Sequence, residues 1–390
     1  MKRIGLLPRL IIAIIVGIII GLVGPEWFVR IFVTFNNIFG NFLSFIIPLI
    51  IIGFVAPGIT ELGDGAGKLL GITAGLAYLS TVLAGSLAYF ASSTIFPTFL
   101  QAGSLTLDAD PEADLLETFI AIEMPPVFGV MTALVLAFLI GLGVAAVKAD
   151  ILKKALSEFQ MIIDLVISKI IIPFLPIHIL GIFANMTYAG QVATILSVFA
   201  RVFIIILALH FITIVIQYLI AGSYAGANPF RLIKNMVPAY LTALGTQSSA
   251  ATIPVTLERT KLNGVSDEIA DFVVPLGATI HLSGSTITLV GCAMAIMMLS
   301  NVSASFADFL PFIMILGVTM VAAPGVPGGA VIAALGVLEL TLGFDESMLS
   351  LMIALYIAQD SFGTACNITG DGAIAVIVNK ISGKELARPQ

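Results

Sequence analysis

Gln359-Asp360-Ser361-Phe362-Gly363-Thr364-Ala365-Cys366-Asn367-Ile368-Thr369-Gly370-Asp371 sets two carboxylates inside an otherwise apolar run from Met348 to Val378. A run of that length and polarity reads as a membrane-spanning helix. At ~100° per residue, Asp360, Thr364, Asn367 and Asp371 fall within roughly 60° of one another and form one polar stripe. An uncompensated carboxylate near the bilayer centre costs at least ~2.5 kcal/mol, so a stripe holding two must face a partner, a cation or water. The stripe is therefore a candidate binding surface. The plainer alternative is a pair of helix-capping or pore-lining acids.

Composition points the same way. Hydrophobic residues make up 59% of the chain and charged residues 10%, with a mean hydropathy of +1.12, whereas a soluble domain is roughly half apolar and a quarter charged. This predicts an all-α polytopic membrane protein with about ten spans or hairpin legs and no soluble domain. The net charge of −6 conceals a segregation of acids from bases along the chain. Cys292 and Cys366 both lie in apolar segments, so no disulfide framework is expected. The segment from Met1-Lys2-Arg3 through Val23 lacks a small-residue cleavage motif and reads as a retained first span.

Lys2, Arg3 and Arg9 before that span place the N-terminus in the cytoplasm. Spans are expected near 9–24, 38–57, 69–96, 127–147, 160–187 and 191–221. The basic residues Lys68, Lys148, Lys153, Lys154, Arg231 and Lys234 fall on the inner side of this scheme. The connection from Thr106 to Glu123, with Asp108, Asp110, Glu112, Asp114 and Glu117, falls outside. Lys169 and Arg201 lie near or within spans and have no partner visible in the sequence.

After Lys234 the pattern changes. Met236 to Leu257 is broken by Gly245-Thr246-Gln247-Ser248-Ser249 and Pro254, then followed by Glu258, Arg259 and Lys261 on the same inner side. This predicts a re-entrant hairpin, whose irregular tip needs protein or water partners. Phe272 to Leu299 is interrupted by Gly277-Ala278-Thr279-Ile280-His281-Leu282-Ser283-Gly284-Ser285. Phe309 to Leu342 is cut by Ala323-Pro324-Gly325-Val326-Pro327-Gly328-Gly329, a second hairpin reached from the outer side, and the Asp360 helix follows. A hairpin and an interrupted span, repeated in opposite orientation, form the inverted repeat that places a transporter's site at the midplane.

These residues resemble the glutamate-transporter family of dicarboxylate/amino acid:cation symporters over nearly the whole chain. The specific motifs are Gln247-Ser248-Ser249-Ala250-Ala251-Thr252-Ile253-Pro254, Gly277-Ala278-Thr279-Ile280, Gly325-Val326-Pro327-Gly328, and Asp360 with Thr364, Asn367, Gly370 and Asp371. The resemblance implies eight transmembrane helices, two oppositely oriented re-entrant hairpins and an elevator mechanism in a homotrimer of the cytoplasmic membrane, with both termini cytoplasmic. It implies scaffold spans 1 and 2 over residues 1–67 and transport-domain span 3 over 68–100. The external loop and scaffold spans 4 and 5 then cover 101–190, and the transport-domain core covers 191–390.

The resemblance further implies that substrate is held by Gln247, Ser248, Ser249, Leu282, Ser285, Val326, Ala330, Asp360, Gly363, Thr364 and Asn367. Asp360 would meet the ammonium of an amino acid, while Asn367, Thr364 and hairpin-tip amides would meet its carboxylate. Acidic-substrate members carry an arginine three residues after the aspartate that matches Asp360. Gly363 stands there in this chain, and Gln247 replaces the hairpin arginine of other relatives, so a dicarboxylate would keep an unpaired charge. The pattern is most similar to the serine/threonine sodium symporter branch, which implies a small neutral substrate.

Two sodium sites are implied, one from Gly277, Asn367 and Asp371 and one from Thr279, Met320, Val321 and Ala323. A third family site uses an asparagine and an aspartate where this chain has His281 and Ser283, so fewer ions are expected. His281 reads either as a hydrogen-bonded packing residue or as a proton-coupling group, which keeps proton-coupled or mixed-coupling carriage of other amino acids or dicarboxylates open. No organic cofactor is expected, and neither is nucleic-acid binding, because the bases sit in short loops without aromatic interleaving. The same residues admit two other classes. A cation channel lined by Asp360 and Asp371 would not accumulate substrate, and a hydrolase built from His281, Ser283 and Ser285 lacks the spacing to orient a dyad.

Overall fold

The computed structural model describes residues 6–63, 68–100, 116–190, 192–302, 305–320 and 328–383. Among them there are helices and connections and no strand. The first six helices are α1 (Leu6–Val23), α2 (Glu26–Gly63), α3 (Lys68–Ile95), α4 (Val130–Val147), α5 (Asp150–Val166) and α6 (Ile172–Tyr188), with a π-helical turn joining α5 to α6. Then come α7 (Val192–Ala225), α8 (Pro229–Thr246), α9 (Ser249–Leu262), α10 (Asp267–Ile280), α11 (Ser283–Leu299), α12 (Phe306–Thr319), α13 (Gly329–Leu342) and α14 (Glu346–Ile381). Among the described residues, six helical segments are long and apolar enough, by length and composition, to cross a membrane.

Two spans are longer than the sequence predicts. The second, expected over 38–57, belongs to α2, whose 38 residues include Pro48 and Pro57. Its polar first turns are accommodated by the segment after residue 115. Arg30 Nε donates to the Glu117 carbonyl at 3.0 Å, its guanidinium covers the Phe119 ring at 4.4 Å, and Asn41 donates to the Ile122 carbonyl at 2.7 Å. The fifth, expected over 160–187, begins at Asp150, because Lys153, Lys154 and Glu158 occupy the exposed or half-exposed face of an amphipathic helix. Arg201, without a visible partner in the sequence, donates to the Phe99 carbonyl at 3.5 Å and lies over that ring.

Helices α1, α2, α4, α5 and α6 pack chiefly on one another, α1 against α6 through Gly17 and Gly21. Small residues four apart let two helices approach closely. Helices α3, α7, α8, α9, α10 and α11 gather around α14, and α13 reaches both groups. Both α11 and α14 are buried along nearly their full length. A helix apolar on every side belongs inside a protein, so the polar residues of α14 meet protein rather than solvent.

The breaks follow local chemistry. The α8–α9 hairpin turns at Gln247, which adopts the left-handed conformation (φ 53°), and Ser248, whose side chain caps α9 by accepting from Ala251 N at 3.3 Å. Lys261, at the far end of α9, is tied to Asp271 at 2.8 Å and Asp267 at 3.4 Å. The hydrogen bond to Asp271, reinforced by Asp267, holds its ammonium above the ordinary lysine pKa. α10 ends at His281, whose backbone is extended, and α11 starts after Leu282. The tip joining α12 to α13 falls at 321–327, outside the described residues, and so do Asp108, Asp110, Glu112 and Asp114.

Candidate functional site

α14 carries the stripe into the centre of the fold, with Asp360 5%, Thr364 6%, Asn367 1% and Asp371 0% exposed. Each carboxylate meets a different helix break. Asp360 Oδ2 accepts from the Gly328 amide at 2.7 Å, immediately before α13. Asn367 closes the gap to α11: its Oδ1 accepts from the amides of Gly284 at 2.7 Å and Ser285 at 3.3 Å, and its Nδ2 donates to Ser285 Oγ at 3.0 Å. The first amides of a helix have no partner within it, and a side-chain oxygen aimed at them satisfies the deficit.

The contact between α11 and α14 depends on Gly284. A Cβ there would lie 2.6 Å from Cys366 Cβ and collide with the Gly363 carbonyl oxygen. Gly284→Ala should therefore push α11 off α14, cost about 1–3 kcal/mol and break the Asn367 bonds. The expected result is a lowered thermal midpoint together with lost substrate binding. A variant of unchanged stability and affinity would show that the two helices can separate without penalty.

Around Asp371 the structure gathers groups from four helices. His281 Nδ1 lies 2.9 Å from Asp371 Oδ1, and both side chains are fully buried. With Nδ1–H donating to the carboxylate, Nε2 is left to accept from Ser80 Oγ at 3.0 Å or Gln217 Nε2 at 3.4 Å. Gln217 also donates to Ser80 Oγ at 3.0 Å and Ser283 Oγ at 3.2 Å. Asp371 Oδ2 and Gln217 Oε1 are buried and have no hydrogen-bond partner among the described residues. A Cβ on Gly277 would lie 2.8 Å from Asp371 Oδ1, so the carboxylate rests directly on that backbone. Oδ1, the oxygen against Gly277, is the one engaged by His281, and the orphaned Oδ2 is the carboxylate oxygen left for a hard cation such as sodium.

The remaining expected residues are dispersed. Gln247, Ser248 and Ser249 are half-buried at the α8–α9 tip. Leu282, Ser285, Ala330 and Gly363 are buried around α11, α13 and α14. Thr279 is exposed and donates to the Leu276 carbonyl at 2.7 Å, whereas Met320 is buried. Val321, Ala323 and Val326 lie outside the described residues.

Sequence reading missed Ser80, Gln217 and Tyr356. Ser80 and Gln217 are distant in sequence and reach the site only through packing. Tyr356 had a signal: it lies one helical turn before Asp360 and extends the stripe within roughly 80°. No lysine or arginine occurs between Lys261 and Lys380, the stretch that supplies α10, α11, α13 and most of α14.

The family model described as the sodium:dicarboxylate symporter family matches residues 6–381. Among curated proteins, the chain is 27% identical over 387 residues to the serine/threonine transporter SstT of Acinetobacter baumannii (strain AYE), covering 95% of each chain. It is 25% identical over 397 residues to the serine/threonine transporter SstT of Streptococcus thermophilus (strain CNRZ 1066), covering 98% of each.

Proposed function

Because this chain belongs to the sodium:dicarboxylate symporter family, we propose that it is a secondary symporter importing small neutral amino acids of the serine, threonine or alanine type, driven by sodium. The family and the relatives are transporters, and the apolar helices make the chain a multi-pass membrane protein. One observation carries the choice of substrate: a buried carboxylate at Asp360 with no arginine or lysine from residue 262 to 379 to pair with a substrate side-chain carboxylate. The serine/threonine naming of the relatives supports the same choice. The elevator mechanism, the trimer, the two re-entrant hairpins and the cytoplasmic-membrane placement with both termini inside belong to this proposal, supported by the resemblance in motif order.

Asp371, with the Gly277 backbone and Asn367, would hold sodium through oxygen ligands, which lets the sodium gradient drive uptake. Sodium needs oxygen donors, and His281 takes one of Asp371's two. This supports coupling to fewer ions than in relatives with an aspartate in the α10–α11 break. His281→Asn should free that oxygen and tighten sodium binding by roughly tenfold. Sodium titration of the purified protein, followed by calorimetry, reads this without transport, and an unchanged affinity would show that His281 does not compete.

The proposal as a whole is tested by uptake into proteoliposomes with sodium and proton gradients imposed separately. Accumulation of serine driven by sodium is expected. Sodium-independent accumulation driven by protons would overturn the coupling, and flux that never concentrates substrate would favour a channel.

A further inference from the structure

The Tyr356 side chain is fully buried on α14, one turn before Asp360. Its hydroxyl lies close enough to Asp360 and Ser285 to interact with both, but it forms a well-aligned hydrogen bond with neither, nor with any other described residue. A phenolic hydroxyl carries one donor and two acceptor positions, and leaving them unused away from water is costly. Neither neighbour is used up by its other bonds: Asp360 accepts from Gly328 N through Oδ2, and Ser285 Oγ accepts from Asn367 Nδ2 while keeping its own O–H to give. The Tyr356 oxygen is a buried polar group that makes no hydrogen bond among the described residues, at the point where α11 and α14 face each other.

We propose that Tyr356 determines specificity for hydroxylated substrates, its phenolic oxygen bonding the β-hydroxyl of serine or threonine while Asp360 holds the ammonium. The inference rests on the neutral amino acid reading above and adds a residue to it. Geometry at the level of the substrate supports it: in a β-hydroxy amino acid the hydroxyl-bearing carbon is bonded to the carbon that bears the ammonium. A group beside the ammonium's carboxylate is therefore within reach of that hydroxyl. An alkyl side chain in the same place would leave the phenol unpaired, and sites with buried polar groups discriminate most strongly against ligands lacking the matching group.

The test is equilibrium binding of four L-amino acids to the purified full chain in nanodiscs. Serine and alanine differ only by the hydroxyl, as do threonine and 2-aminobutyrate. In the wild type the hydroxylated member of each pair should bind at least about tenfold tighter. In Tyr356→Phe, which keeps the ring and removes one oxygen, serine and threonine should weaken until each pair agrees within about threefold, with alanine and 2-aminobutyrate unchanged.

Preserved discrimination in the variant overturns the inference, as does equal weakening of all four ligands, which would make Tyr356 a support for Asp360. Equal affinities within each pair in the wild type overturn it without any variant. A wild type that binds none of the four removes the neutral amino acid reading, and the inference with it. A wild type that binds all four while Tyr356→Phe changes nothing leaves that reading intact and sinks only the role of Tyr356.

Discussion

L-Serine should compete for the site at least about a hundredfold better than L-aspartate, because a second carboxylate brought to the centre of α14 finds no cation to pair with. An uncompensated buried charge costs about 3–5 kcal/mol, and 1.4 kcal/mol is a factor of ten in affinity. Between Lys261 and Lys380 the only basic side chain is His281, already directed at Asp371. The same argument predicts the effect of supplying the cation. A Cβ at residue 363 would lie 3.4 Å from the Ser285 amide, an ordinary contact. Gly363→Arg should therefore be accommodated at its root and bring aspartate within about tenfold of serine, since an arginine–carboxylate pair restores the missing charge. Competition binding reads both results. Aspartate as tight as serine in the wild type would refute the assignment of substrate class.

Asp360→Asn should abolish uptake and weaken neutral amino acid binding by roughly 10- to 150-fold, the worth of about 1.5–3 kcal/mol for a hydrogen bond to a charged group. The variant removes the charge and keeps an oxygen able to accept from the Gly328 amide, which in the wild type lies 2.7 Å from Asp360 Oδ2. The helix packing and thermal midpoint should thus persist while affinity falls. Dissociation constants and thermal unfolding measured on the same preparation separate the two effects. Near-normal affinity would place the substrate ammonium elsewhere and leave Asp360 as a clasp for the α13 terminus.

The helix that carries the site was legible because its signal is internal: two carboxylates, a threonine and an asparagine at helical spacing in an apolar run. The breaks were legible for the same reason. A glycine and serine cluster ends α8 at Gln247, and the break between α10 and α11 falls at His281 and Leu282, inside the polar interval bracketed by Gly277 and Gly284. The beginning of α2 was not legible. Arg30 and Asn36 look like residues of a connection until their partners are known, and those partners are Glu117 and His178. The network at Asp371 escaped for a similar reason, because Ser80 and Gln217 are ordinary helix residues until folding sets them beside His281. Tyr356 was overlooked because its ring counts as apolar while its oxygen does not.

The length of α2 has a consequence for the lipid around it. Thirty-eight residues make a rod about 57 Å long, against a hydrocarbon layer about 30 Å thick. At the average tilt of about 20°, the rod would overreach that layer by about 24 Å. The first sixteen residues, 26–41, account for that excess: they hold Arg30, Asn36, Asn37 and Asn41, and Arg30 and Asn41 are bonded to the segment after residue 115. The stretch that remains, residues 42–63, is about 33 Å long and crosses the layer at ordinary tilt. A change in lipid chain length is thus met by the later part of α2, while its first turns stand clear of the hydrocarbon.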